Sequence, residues 1–346
     1  MRRLLILITV VLLLTVPVQA MSFTAPEAPQ SALPFLPDNS ESFSEGLWYI
    51  IRAAIRTLQP SMAEAAEACA ALVGTCVLIS LLTHLSGSSK SKVEMIGTIG
   101  VAMILLQPTK SMIQLGVETV QEISQYGKLL LPVMTGALAA LGAVTKSGAL
   151  YMATAFFDAL LSSGISQLLT PLIYIYVCLC IGCNLFDQEL IESIRSFMKW
   201  LMTWALKTIL YVFTGYISIT GVVGGVTDAA MLKATKLTIT GMVPVVGNIL
   251  SDASEAVLVS AGVMKSTVGV YGLLVILALW IGPFMRIGVQ YLLLKITSGI
   301  CLMFGTKKVA GIIKDFSSTM GLTLAMIGAV CIIQMISTIC FMKGVG

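Results

Sequence analysis

Long apolar runs alternate with short polar interruptions along the chain, and the runs have the length a lipid bilayer demands. Stretches near 65–85, 95–117, 129–145, 148–165, 168–186, 201–223, 268–290 and 321–342 are each predominantly apolar, and most are bounded by charge, Gly or Pro. About 20 such residues in a helix cross a hydrocarbon core of ~30 Å. Inside lipid a lone segment satisfies its backbone N–H and C=O groups only as a helix. The pattern therefore predicts an all-α, polytopic transmembrane protein of about eight spans, with the membrane domain over residues 47–346.

The segment ahead of the spans is organised differently. Arg2 and Arg3 precede an apolar run from Leu4 to Val16, then Pro17 and the small-x-small ending Val18-Gln19-Ala20, which is the pattern of a signal peptide over 1–20, either cleaved after Ala20 or kept as a short anchor. Residues 21–46, with Pro26, Pro29, Pro34 and Pro37, have no sustained period and suit a flexible exported leader. From Trp48 to Leu58, one helical face carries Leu47, Ile51, Ala54 and Leu58 and the other Arg52, Arg56 and Gln59. Two forms fit that division: a helix lying on the outer membrane surface, or the first turns of a longer buried helix.

An exported amino terminus and eight crossings place the loops 86–94, 146–147, 187–200 and 291–320 in the cytoplasm. Lys90, Lys92, Lys146, Arg195, Lys199, Lys295, Lys307, Lys308 and Lys314 all fall there, while the outer turn 118–125 carries Glu118 and Glu122 without a base. That is the positive-inside distribution.

Three interruptions are informative. Gln107-Pro108-Thr109-Lys110 cuts the second run after about a dozen apolar residues, too few to cross, so a short or broken helix is expected. Beyond it Ile113, Val117, Val120 and Ile123 share a face opposite Gln114, Glu118, Gln121 and Gln125. After Asp187, a surface helix is expected with Leu190, Ile194, Phe197 and Leu201 inward and Glu189, Glu192, Arg195 and Lys199 outward. The third interruption spans 229–264. Pro244, Gly247 and Asn248 predict an opened backbone near 244–251, in a re-entrant or broken helical hairpin facing a cavity or the centre of an assembly. Asp252 and Glu255 have capping-box spacing or serve a pore, and Asp228 fits the cap of a short helix over 229–240. Pro244, Gly247, Asn248, Asp252, Glu255 and Asp228 are thus the candidate pore or hairpin residues. Asp158, Lys207 and Lys110 are candidate intramembrane charges, and two arrangements fit the first two: an ion pair, or each facing a water-filled path.

Composition narrows the function. With 346 residues, 57% hydrophobic and 11% charged, and a mean hydropathy of +0.95, no large soluble domain fits beside the spans. A net charge of +4, scattered over loops, does not favour nucleic acid. The eight Cys lie in apolar runs, and within Cys178-x-Cys-x2-Cys183 a helix puts Cys178 and Cys180 on different sides, which suits packing more than a metal. No Walker loop, His-Glu-x-x-His or Gly-x-Ser-x-Gly occurs, so neither catalysis nor a bound cofactor is expected, and energy for any transport comes from elsewhere.

The segment Val-Pro-Val-Val-Gly, followed by Ser-Asp-Ala-Ser-Glu-Ala-Val-Leu, at 243–258, together with the signal peptide, the exported leader and the polytopic body, resembles the stage III sporulation protein AE family of endospore-forming bacteria. The resemblance implies a place in the mother-cell membrane that engulfs the forespore. It further implies membership of an eight-protein secretion-like complex, with an ATPase and ring-forming subunits, that meets a forespore membrane protein to form a channel or feeding tube. The AE component would be its polytopic, channel-forming core, and a homo-oligomer is left open. The competing expectation is a stand-alone secondary transporter or permease for a small solute, which breaks near 107 and 244 also fit. Such transporters show two similar halves, and here only Val222-Val223-Gly224 echoes Val245-Val246-Gly247.

Overall fold

A computed structural model of the chain describes residues 24–37, 43–141, 144–186, 189–242 and 247–343, with side chains described except at 61, 88, 146, 218, 220–266 and 343. The signal peptide region lies outside these residues. Among the described residues all regular structure is helical. Seven α-helices follow one another: α1 (Phe43–Leu85), α2 (Lys90–Ala140), α3 (Val144–Gly164), α4 (Thr170–Leu185), α5 (Glu189–Met242), α6 (Gly247–Met303) and α7 (Lys307–Lys343). Short 3-10 turns cover Leu33–Phe35 and Gly87–Ser89, and a π-helical turn, Ile165–Leu169, joins α3 to α4. Among the described residues, five helical stretches are long and apolar enough to cross a membrane: Met62–Leu85, Lys90–Ala140, Ser147–Leu185, Thr267–Met303 and Lys307–Met342.

The helices are fewer and longer than the apolar runs suggested. The runs at 95–117 and 129–145 belong to one helix, α2, of 51 residues, or ~77 Å at 1.5 Å per residue. The expected break at 107–110 and the expected outer turn at 118–125 are both absent. Pro108 removes one backbone bond, but Leu105, Thr109 and Ile113 around it are buried, and that packing carries the helix through. Likewise 148–165 and 168–186 form one continuous helical run. Pro171 would crowd the carbonyl four residues before it, and the wider π turn relieves this. The Thr170 amide and hydroxyl both reach the Ile165 carbonyl, the hydroxyl at 2.7 Å.

Two other expectations change. α5 runs unbroken through Asp228, so no short helix begins after it. α6 starts at Gly247, which puts Asp252 and Glu255 inside a helix instead of at its cap. The segment 48–58 forms the first turns of the long helix α1, with Ile50, Ala54 and Leu58 buried. Within the stretch read as a leader, Ala32 and Phe35 are buried against the bundle, and Ser31 donates to Glu122 at 2.7 Å.

α7 is the central element, packed against α2, α3, α4, α5 and α6, while α1 lies against α2 and α6. Close approach needs small residues: a Cβ on Gly116 would strike Thr323, and one on Gly127 would strike Gln334. At one end of the bundle the α1–α2 and α6–α7 turns meet. Ser80 donates to the Phe304 carbonyl at 2.8 Å, and the Lys308 amide to Glu94 at 3.2 Å. Lys90, Lys92, Lys307 and Lys308 sit here, so this is the basic end. The tight α6–α7 turn depends on Gly305, whose φ is +77°. Gly305→Ala should cost about 1–2 kcal/mol, read as a lower unfolding midpoint of the protein in detergent.

Candidate functional site

Among the described residues, two buried acids, Asp158 and Asp315, each anchor a polar cluster in the apolar core. The first is built on Asp158, two turns before the π segment of the α3–α4 run. Asp158 is 1% exposed. Its carboxyl accepts from Ser124 of α2 at 2.7 Å and from Gln334 of α7 at 2.8 Å. One turn away the hydroxyls of Thr154 and Ser337 pair with each other. Phe157 covers the cluster towards α5, packing edge-on to Phe213. Both carboxyl oxygens are thus occupied by neutral donors, and an acid so held ties α2, α3 and α7 together at one level.

Of the other intramembrane charges, Lys207 and Lys110 are exposed. Asp158 and Lys207 form no ion pair, contrary to one expectation from sequence. Lys110 instead borders an outward cleft of about 340 Å³ with Met103, Gln107, Tyr174 and Val177. Pro244 lies outside the described residues, as do the side chains of Asp228, Gly247, Asn248, Asp252 and Glu255.

The second cluster lies at the basic end and was missed in the sequence. Asp315 of α7 is 8% exposed. It accepts from Arg195 of α5 at 2.5 Å and from Asn184 of α4 at 2.8 Å. Arg195 also contacts Glu192 at 3.5 Å, and Lys199 reaches Ser318 at 3.3 Å. A cavity of about 330 Å³ opens above this floor.

This arrangement departs from the amphipathic helix expected after Asp187: Glu189, Glu192 and Lys199 are exposed as expected, but Arg195 is not, and three of the residues expected inward are exposed. Arg195 turns inward with Met202 and Leu206, whereas Leu190, Ile194, Phe197, Trp200 and Trp204 are exposed, Phe197 by 56%. In water the apolar side of a helix faces the protein. Here that side faces outward, and the inward side supplies a guanidinium to a buried acid. The nearest sequence signal was Asp315 itself, an acid close to the apolar run at 321–342.

A further pattern concerns the outer surface. On α2 the exposed side chains between Lys92 and Lys110 include Ile96, Ile99, Met103, Ile104 and Leu106. Beyond Lys110 the exposed face becomes Gln114, Glu118, Gln121 and Gln125, with Ile113, Val120 and Ile123 buried opposite. On α5 the exposed aromatic and apolar side chains continue past Lys207 to Tyr211, Val212, Tyr216 and Ile219.

Comparison with known proteins agrees with the resemblance. The family model described as stage III sporulation protein AE matches residues 37–346. The stage III sporulation protein AE of Bacillus subtilis (strain 168) is 24% identical over 232 residues, covering 66% of this chain and 58% of that protein. The chain thus aligns with less than two thirds of the length of this curated relative. No solved structure matches.

Proposed function

This chain belongs to the stage III sporulation protein AE family, and from that premise we propose that it is a membrane core subunit of a secretion-like complex linking mother cell and forespore. The observation that carries the reading is the division of α2. Its apolar outer surface extends from Lys92 to Lys110, ~27 Å along the axis and close to the ~30 Å of a hydrocarbon core. The helix then continues to Ala140, its outer face polar as far as Lys128. The bilayer occupies the belt nearest the basic end, and the far half of α2 stands beyond it, on the side where the leader segment docks. A solute carrier has little use for helices continuing tens of ångströms past the bilayer, whereas a subunit that meets partners between two membranes does.

The basic end faces the mother-cell cytoplasm by the positive-inside rule, leaving the leader on the extracytoplasmic side. The ring-forming subunits and forespore partner are met on the leader side, and the ATPase is met at the basic end. Pro244 and Gly247 are the residues proposed to line a passage.

Purification in mild detergent from sporulating cells tests this. Co-recovery of the ATPase and ring subunits is expected, together with restored spore formation when the chain is returned to a deletion strain. Recovery of a lone monomer that moves a small solute across liposomes would overturn the reading in favour of a permease. A Gly247→Leu strain is expected to lose spore formation at unchanged protein level.

A further inference from the structure

The cavity at the basic end is bounded by α4, α5 and α7, and its lining includes Arg195, Lys199, Lys314, Asp315 and Ser318. Asp315 is the acid in that lining, and its interactions with Arg195 and Asn184 already compensate it. Lys199 and Lys314 are exposed at the rim, and neither pairs with a carboxylate among the described residues. Arg195 has five N–H donors, of which those facing Asp315 and Glu192 are engaged. The lining therefore carries an excess of positive charge over a floor that holds the guanidinium in place. Such a site suits a compact anion with several acceptor oxygens.

The surroundings indicate where that anion comes from. On α5, Phe197 and Trp200 flank Lys199 and present their rings outward, with Trp200 stacked on Trp204 at 6.0 Å. Indole rings settle at the headgroup level of a bilayer, and basic pockets between transmembrane helices hold anionic headgroups there. Within one turn of α5, then, a polar basic recess adjoins an apolar surface turned to the acyl chains.

We infer that the recess between α4, α5 and α7 binds a phosphate-bearing anion, and that its source is the headgroup of an anionic phospholipid in the leaflet at the basic end. The phosphate sits between Lys199 and Lys314 with Arg195 beneath, and the chains follow Phe197, Trp200 and Trp204. Bound in this way, the lipid adds a link between α5 and α7 beside the Arg195–Asp315 ion pair.

The test uses the full chain in nanodiscs of phosphatidylcholine with and without phosphatidylglycerol, with retained lipid counted by native mass spectrometry. Wild type is expected to retain phosphatidylglycerol preferentially. Lys199→Gln with Lys314→Gln should weaken that retention about tenfold, with an unchanged unfolding midpoint in phosphatidylcholine alone. Lys90→Gln with Lys92→Gln makes the same charge change at the same end outside the recess, and should stay within about twofold of wild type. Equal losses in the two double variants, or no preference for phosphatidylglycerol in wild type, would overturn the site. Inorganic phosphate forms the third arm. Stabilisation by phosphate that requires Lys199 and Lys314, without any effect of phosphatidylglycerol, would overturn the lipid source.

Discussion

Gly127→Leu is expected to destabilise the bundle by about 3 kcal/mol or more, because it joins overpacking to the loss of a buried hydrogen bond. At this position α2 lies so close to α7 that even a Cβ would overlap the Gln334 amide. Gln334 cannot withdraw freely, since its amide donates to Asp158 at 2.8 Å. A larger side chain therefore forces the helices apart or strips a donor from an acid that is 1% exposed. Chemical unfolding in detergent micelles measures the cost. Gln334→Ala alone should also destabilise, but combined with Gly127→Leu it vacates the contested space, so the double variant should lose less than the sum of the singles. Asp158→Asn serves as the control. The Gln334 amide can turn to offer its oxygen, so stability should change little, and unimpaired spore formation would identify Asp158 as a structural tie and not a proton carrier.

Asp315→Ala should cost about 3 kcal/mol, because it leaves a partly buried guanidinium and the Asn184 amide without their acceptor. Arg195 and Asp315 are 21% and 11% exposed at their side chains, too enclosed for water to compensate fully. Asp315→Asn keeps one acceptor oxygen and should lose roughly half as much. The same unfolding assay ranks the two, and an alanine variant as stable as wild type would show that Arg195 finds another partner.

The fold class followed from composition and run length, because lipid restricts the chain to helices and apolar residues outnumber every other kind. The buried face of α2 at Ile113, Val120 and Ile123 was visible too, since its opposite face is polar. Helix continuity was not visible. Pro108 and Pro132 both lie within α2, and whether a proline breaks a helix depends on the packing around it, which no local window contains. The two clusters were half visible. Asp158 stood out as an acid in an apolar run, but its partners Ser124 and Gln334 are ordinary polar residues far away in the chain. Arg195 was assigned to the wrong face because the inference assumed that apolar side chains point to the protein, which holds in water and reverses against lipid.

One rod carries both polar clusters. Asp315 and Gln334 belong to α7, ~28 Å apart at 1.5 Å per residue, and each is bonded to different neighbours. Sliding α7 along its axis by one turn would break both sets of bonds at once, so the helix has a single stable register against α2, α3, α4 and α5. Any passage that opens through this subunit must do so by moving α7 together with those neighbours, or by moving the helices that neither cluster touches.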